Sequence, residues 1–162
     1  MERVNGSAGV LPVECVNVRR DKWRVRWDVQ PTEDGTVNYM EQEFDHRPTL
    51  DEIRQLIIGW HNAQIDERIL SGFRWRDLPV WLSSENQFNY KAAYDLAVQS
   101  GGATLPVVFK FGTDDAPAYH QFDTVDELRE FYMAAMEFVT RTLGEGWQRK
   151  DALDWTAYST GE

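Results

Sequence analysis

Cysteine is nearly absent from this chain of 162 residues, where Cys15 stands alone. A single thiol excludes an internal disulfide and a multi-cysteine zinc centre. Cys15 sits in an apolar-alternating run, so a buried thiol is expected before a nucleophile. Histidine is scarce as well. His46, His61 and His120 lie far apart and lack the short helical or strand spacing of a metal centre. Long apolar runs are missing too: none approaches the roughly 20 residues of a membrane span, and no secretory signal opens the chain. These absences predict a protein made and kept in a reducing cytoplasm, leaving it only by assembly or lysis.

Basic residues are also short, 17 against 27 acidic, for a formal charge of −10. Such a surface repels phosphate backbones, which argues against nucleic acid as a partner. The exception is Arg19 to Arg26, where cations alternate with apolar residues. That run reads either as a local polyanion site or as one strand face paired with Glu41 and Glu43. Walker, dinucleotide-binding and nucleophile-elbow motifs do not occur. The glycines of Gly101-Gly102 and Gly144-Glu145-Gly146 follow helical patterns and read as stop signals.

What the chain does have is aromatic bulk: 42% hydrophobic and 13% aromatic residues, with seven tryptophans, predict a folded globular domain. Residues 1–9, with Asn5-Gly6-Ser7-Ala8-Gly9, read as a flexible tail. One domain is expected over 10–158, with a β-ribbon and helix over 10–70, then two ββα units and a C-terminal segment over 73–158. Val10 to Val18 reads as the first strand. Lys22 to Val29 alternates strictly and puts Trp23, Val25, Trp27 and Val29 on one face. Asp34-Gly35 turns the chain, and Thr36 to Phe44 returns.

Three capping-box spacings mark helix starts: Thr49 with Glu52, Ser84 with Gln87, and Thr124 with Glu127. In the first helix Ile53, Leu56, Ile57, Trp60 and Ala63 form one stripe. Ile58, Ile65 and Ile69 lie nearly opposite, which predicts more than one packing neighbour. Strand pairs are expected over Phe73 to Leu82 and over Val107 to Phe122, each leading into a helix. The order suggests a weak internal repeat, Phe73-Arg74-Trp75 matching Phe109-Lys110-Phe111 and Pro79 matching Pro117. Trp147 to Tyr158 then reads as a short helix or lid. The fold class is α+β.

The stretch Val80 to Ala97, with Ser84-Glu85-Asn86-Gln87-Phe88-Asn89, resembles a domain family of unknown function found in phage and prophage tail-associated proteins. Those proteins are similar to tail fibres or tail-fibre assembly proteins. Thr124-Val125-Asp126-Glu127-Leu128 and Trp147 to Leu153 fit the same pattern, so the resemblance covers about Phe73 to Trp155. It implies a structural or tail-assembly component of the bacterial cytoplasm or the virion, acting through protein contacts, and it carries over no catalytic residue.

The expectation is therefore a non-enzymatic protein with no cofactor. Its partners would be other phage proteins or a second copy of itself, with no membrane or nucleic acid involved. The residues expected to bind protein are Trp23, Trp27, Phe73, Trp75 and Trp81. An acidic inhibitor of a basic partner is the alternative. A small enzyme would need a pocket holding His120 or His61 with a converging carboxylate.

Overall fold

The computed structural model describes residues 1–159. The fold is α+β, and the chain divides into two compact units. One comprises residues 1–60 with the segment from 152 onward, and the other runs from His61 to Asp151. The division between the two units falls inside the first helix, after Trp60.

In the N-terminal unit, four antiparallel strands are ordered β1-β4-β3-β2. They are β1 (Glu2–Gly6), β2 (Val13–Asn17), β3 (Lys22–Pro31) and β4 (Val37–Phe44). The expected tail over 1–9 is corrected here, because Glu2–Gly6 pairs with Val37–Glu41 along its length. Gly6 serves close approach: a Cβ there would lie 2.7 Å from the Tyr39 hydroxyl. The alternation of β3 holds for Val25 and Trp27, which are buried. It fails at Val29, which is exposed. A bulge between Trp27 and Gln30, with Asp28 at φ 50°, turns that side chain outward.

Val25, Trp27 and Met40 form the core with Ile53 and Ile57. The latter two stand in the first turns of α1 (Leu50–Ser71). Trp155 and Tyr158 pack on this cluster. A 3-10 turn over Thr156–Tyr158 aims the Tyr158 hydroxyl at the carbonyl of Arg26, 3.2 Å away. On the sheet's other face Arg26 is itself buried. Its guanidinium donates to Glu41 and Glu14, each at 2.7 Å, and to the Leu11 carbonyl at 3.1 Å. A buried cation persists only with such partners. Arg24 pairs with Glu41 and Glu43, and Lys22 with Glu43 and Asp45. Lys22, Arg24 and Arg26 of this run are thus engaged in cross-strand pairs.

The cap of α1 is reciprocal, as its spacing predicts. The Thr49 amide donates to Glu52 at 2.8 Å, and the Glu52 amide donates to the Thr49 hydroxyl at 3.3 Å. Bonds from Thr49, with His46 beside it at 2.9 Å, hold the Glu52 carboxyl down at about 2. Most of the two apolar sets on α1 divides between the two units, while Ile58 and Ala63 are exposed and join neither core. Ile53, Leu56, Ile57 and Trp60 belong to the first core, and Ile65 and Ile69 to the second.

The C-terminal unit contains the ββα order twice. β5 (Arg74–Trp75) and β6 (Leu78–Pro79) precede α2 (Ser84–Gln99), while β7 (Val107–Gly112) and β8 (Pro117–Phe122) precede α3 (Val125–Asp151). The first strand pair has two residues per strand against six in the second. The α2 cap is Ser83, one residue before the expected Ser84, and its hydroxyl accepts from the Asn86 amide at 3.2 Å. Gln87 instead donates to the Leu82 carbonyl.

Gly144 and Gly146 do not stop α3. Gly146 faces Ile65 of α1, where a Cβ would lie 2.2 Å from the Ile65 Cδ1. It is there for close helix packing rather than termination. Trp147, expected in a C-terminal lid, is the next residue of this same helix.

Phe131 of α3 is wholly buried and meets Phe73, Trp75, Tyr90, Phe109, Phe111 and Phe122, with ring centroids 4.9–6.3 Å apart. Two predictions follow from these elements. Phe131→Ala should lower unfolding free energy by about 3–5 kcal/mol in denaturant titration. The Glu52 carboxyl, depressed from 4.5 to about 2, favours the folded state above pH 4.5 and loses that contribution as pH falls toward 2. Glu52→Gln should therefore flatten the stability profile between those limits in acid titrations.

Candidate functional site

The segment Val80 to Leu82 is held on both sides by backbone bonds. The Val80 amide donates to the Phe73 carbonyl and the Leu82 amide to the Leu70 carbonyl, both at 3.0 Å. Val80 and Leu82 are buried, so the extended alternation sends Trp81 outward, where it is 52% exposed. The Asn86 side chain donates to the Trp81 carbonyl at 2.8 Å and fixes the indole's backbone to the first turn of α2.

Opposite lies the end of the β7–β8 hairpin. Gly112, at φ 87°, allows the tight turn, for a Cβ there would meet the Ala116 carbonyl at 2.3 Å. The Thr113 amide donates to the Ala116 carbonyl and the Ala116 amide to that of Thr113, both at 3.2 Å.

Between these walls is a cavity of about 550 Å³. Leu70, Pro79, Val80, Trp81 and the buried Phe111 supply its apolar surface, with Ser71, Asn86 and Thr113 as neutral polar groups. Lys110 and Asp114, 3.8 Å apart, give it one cation and one anion. The volume lies within the range of ordinary ligand clefts, about 300–1,000 Å³.

The two walls are tied together behind the cavity. Arg76, at φ 47° in the β5–β6 turn, reaches the Glu127 Oε1 at 2.9 Å. His120 of β8 reaches the same oxygen at 3.2 Å. The His120 ring also stacks on Phe111, with centroids 6.0 Å apart and planes 19° apart. Glu127 therefore keeps only half of the expected capping box. Its amide donates to the Thr124 hydroxyl at 3.2 Å, while its carboxylate serves Arg76 and His120. This is the histidine–carboxylate pair that an enzyme would require, but neither residue is among those lining the cavity. Among the described residues no group of three or more His, Cys, Asp or Glu is placed to hold a metal ion.

Of the five residues expected to bind protein, only Trp81 stands at this cavity. Trp27 and Phe73 are corrected to core positions, buried in the N-terminal and C-terminal units respectively. Trp75 is half-buried with its ring edge-on to Phe131. Trp23 is half-buried on its sheet, its indole donating to Asp21 at 2.7 Å and facing the Arg47 guanidinium. Asn86, Lys110, Phe111 and Asp114 were not expected at a site. Only the hairpin expected over Val107 to Phe122 hinted that Phe111 would face a neighbour.

Residues 52–161 match the family model of a domain of unknown function, DUF4376. The chain belongs to the DUF4376 family. No curated protein and no solved structure matches it. The DUF4376 match begins within α1, about twenty residues before the resemblance read from the sequence, and includes every residue lining the cavity. No helix among the described residues is long and apolar enough to cross a membrane.

The tie behind the cavity can be tested directly. Glu127→Gln should cost about 1–2 kcal/mol, the range for a hydrogen-bonded charge that keeps some solvent. It should also speed amide hydrogen exchange in residues 74–79. Unchanged exchange there would mean that Arg76 does not hold the turn through Glu127.

Proposed function

We propose that this chain is a non-enzymatic protein-binding module of phage or prophage tail assembly. Its occupant at the Trp81 cavity would be a short extended segment of a tail component. The observation that carries this reading is Trp81 itself, a large ring left half in water while the Val80 to Leu82 backbone around it is held by Phe73, Leu70 and Asn86. An indole on a rigid backbone loses little entropy on contact, so it makes an efficient anchor. The floor supplied by Phe111 and Val80 is apolar. The polar groups are amide, hydroxyl and one charge of each sign, a set suited to peptide groups rather than to a phosphate-bearing ligand. The sequence resemblance to tail-associated proteins supplies the setting.

The test is binding of purified tail components from the same phage or prophage genome, read by biolayer interferometry. One component should bind, and Trp81→Ala should weaken it by about 2 kcal/mol or more, roughly thirtyfold. Thermal stability should change little, since the ring is exposed. If no component binds, or if Trp81→Ala binds as the parent does, the proposal fails.

A further inference from the structure

On the face formed by the second half of α1 and the end of α3, cations gather around one acid. Arg141, Glu145 and Arg149 stand four residues apart along α3, so they share a helix face. Arg68 of α1 joins them. Its guanidinium lies 3.2 Å from Glu145, with that of Arg149 at 3.6 Å and that of Arg141 at 4.0 Å. One carboxylate cannot neutralise three guanidiniums, and the surplus stands out on a chain of net charge −10.

Beside this cluster is a notch of about 30 Å³, lined by Arg68 and Arg149 together with His61, Gln64 and Thr142. Thr142 is 1% exposed, and its hydroxyl has no hydrogen-bond partner among the described residues. A buried hydroxyl left unpaired carries a desolvation cost that nothing offsets. The notch has room for one oxygen-sized atom.

We propose that this notch is an oxyanion subsite. One oxygen of a carboxylate or phosphate group enters and accepts from the Thr142 hydroxyl, while the group's remaining oxygens meet Arg68 and Arg149. Arginine forks suit both anions, since each offers paired oxygens in a plane. The subsite is separate from the Trp81 cavity, with which it shares no lining residue. Its success or failure is therefore independent of the tail-assembly reading.

Calorimetric titration of the full chain at low ionic strength tests it, with inorganic phosphate in one arm and acetate in the other. At least one should bind tenfold tighter than chloride. Arg149→Gln should weaken that binding at least fivefold and Thr142→Val at least threefold, with helical content retained in both variants. Preference for phosphate would point to a phosphate group as the source, and preference for acetate to an acidic side chain. If neither exceeds chloride, or if both variants bind as the parent does, the subsite is overturned. A notch that holds only a water molecule would give that result.

Discussion

Phe131 touches rings from β7, β8, α2 and the Phe73–Trp75 segment, and every one of those elements depends on it for a common centre. Each edge or tilted contact adds about 0.5–1.5 kcal/mol beyond the area it buries. The consequence reaches the surface. Phe111, drawn inward by this cluster, becomes the floor of the cavity. Val80 and Leu82, drawn into the same core, leave the residue between them no direction but outward. Trp81 is exposed because its neighbours are buried.

A second layer of constraint is polar and lies behind the first. Glu127 receives Arg76 from the β5–β6 turn and His120 from β8. An acid at the third position of a helix ordinarily turns back to its cap. Here the cap keeps its hydroxyl bond and gives up the carboxylate. The N-terminal unit solves a similar problem at Arg26, where two carboxylates and a carbonyl satisfy a cation that the sheet has buried. In both places a charged side chain fixes the relation of neighbouring elements, and a neutral replacement would leave its partners exposed to desolvation without compensation.

Much of this was legible in the sequence where a local rule decides the outcome. The Thr49–Glu52 box, the Lys22 to Trp27 alternation and the order of strands and helices after Phe73 all follow from spacing. Spacing fails as a guide where a tertiary contact overrides it. Gly6 looked like part of a tail but makes room for the Tyr39 ring, and Gly146 looked like a stop but makes room for Ile65. Asp28 sits in a bulge that no period reveals, and it cost Val29 its place in the core. The site was harder still. Trp27, Phe73 and Trp81 are all large aromatic residues near alternating runs, and only the burial of flanking residues separates an anchor from a core ring. His120 and Glu127 are seven residues apart across a strand–helix connection, a spacing that no motif records.

The account rests on Trp81 being the point of contact, and fluorine NMR addresses that point most directly. The chain would be labelled with 5-fluorotryptophan, its resonances assigned by single Trp→Phe variants, and the tail components of its own genome added in turn. On this account, one component should shift or broaden the Trp81 resonance while those of the buried Trp27 and the half-buried Trp75 hold their positions. A component that moves Trp23 or Trp147 and leaves Trp81 unchanged would place the contact elsewhere and contradict it.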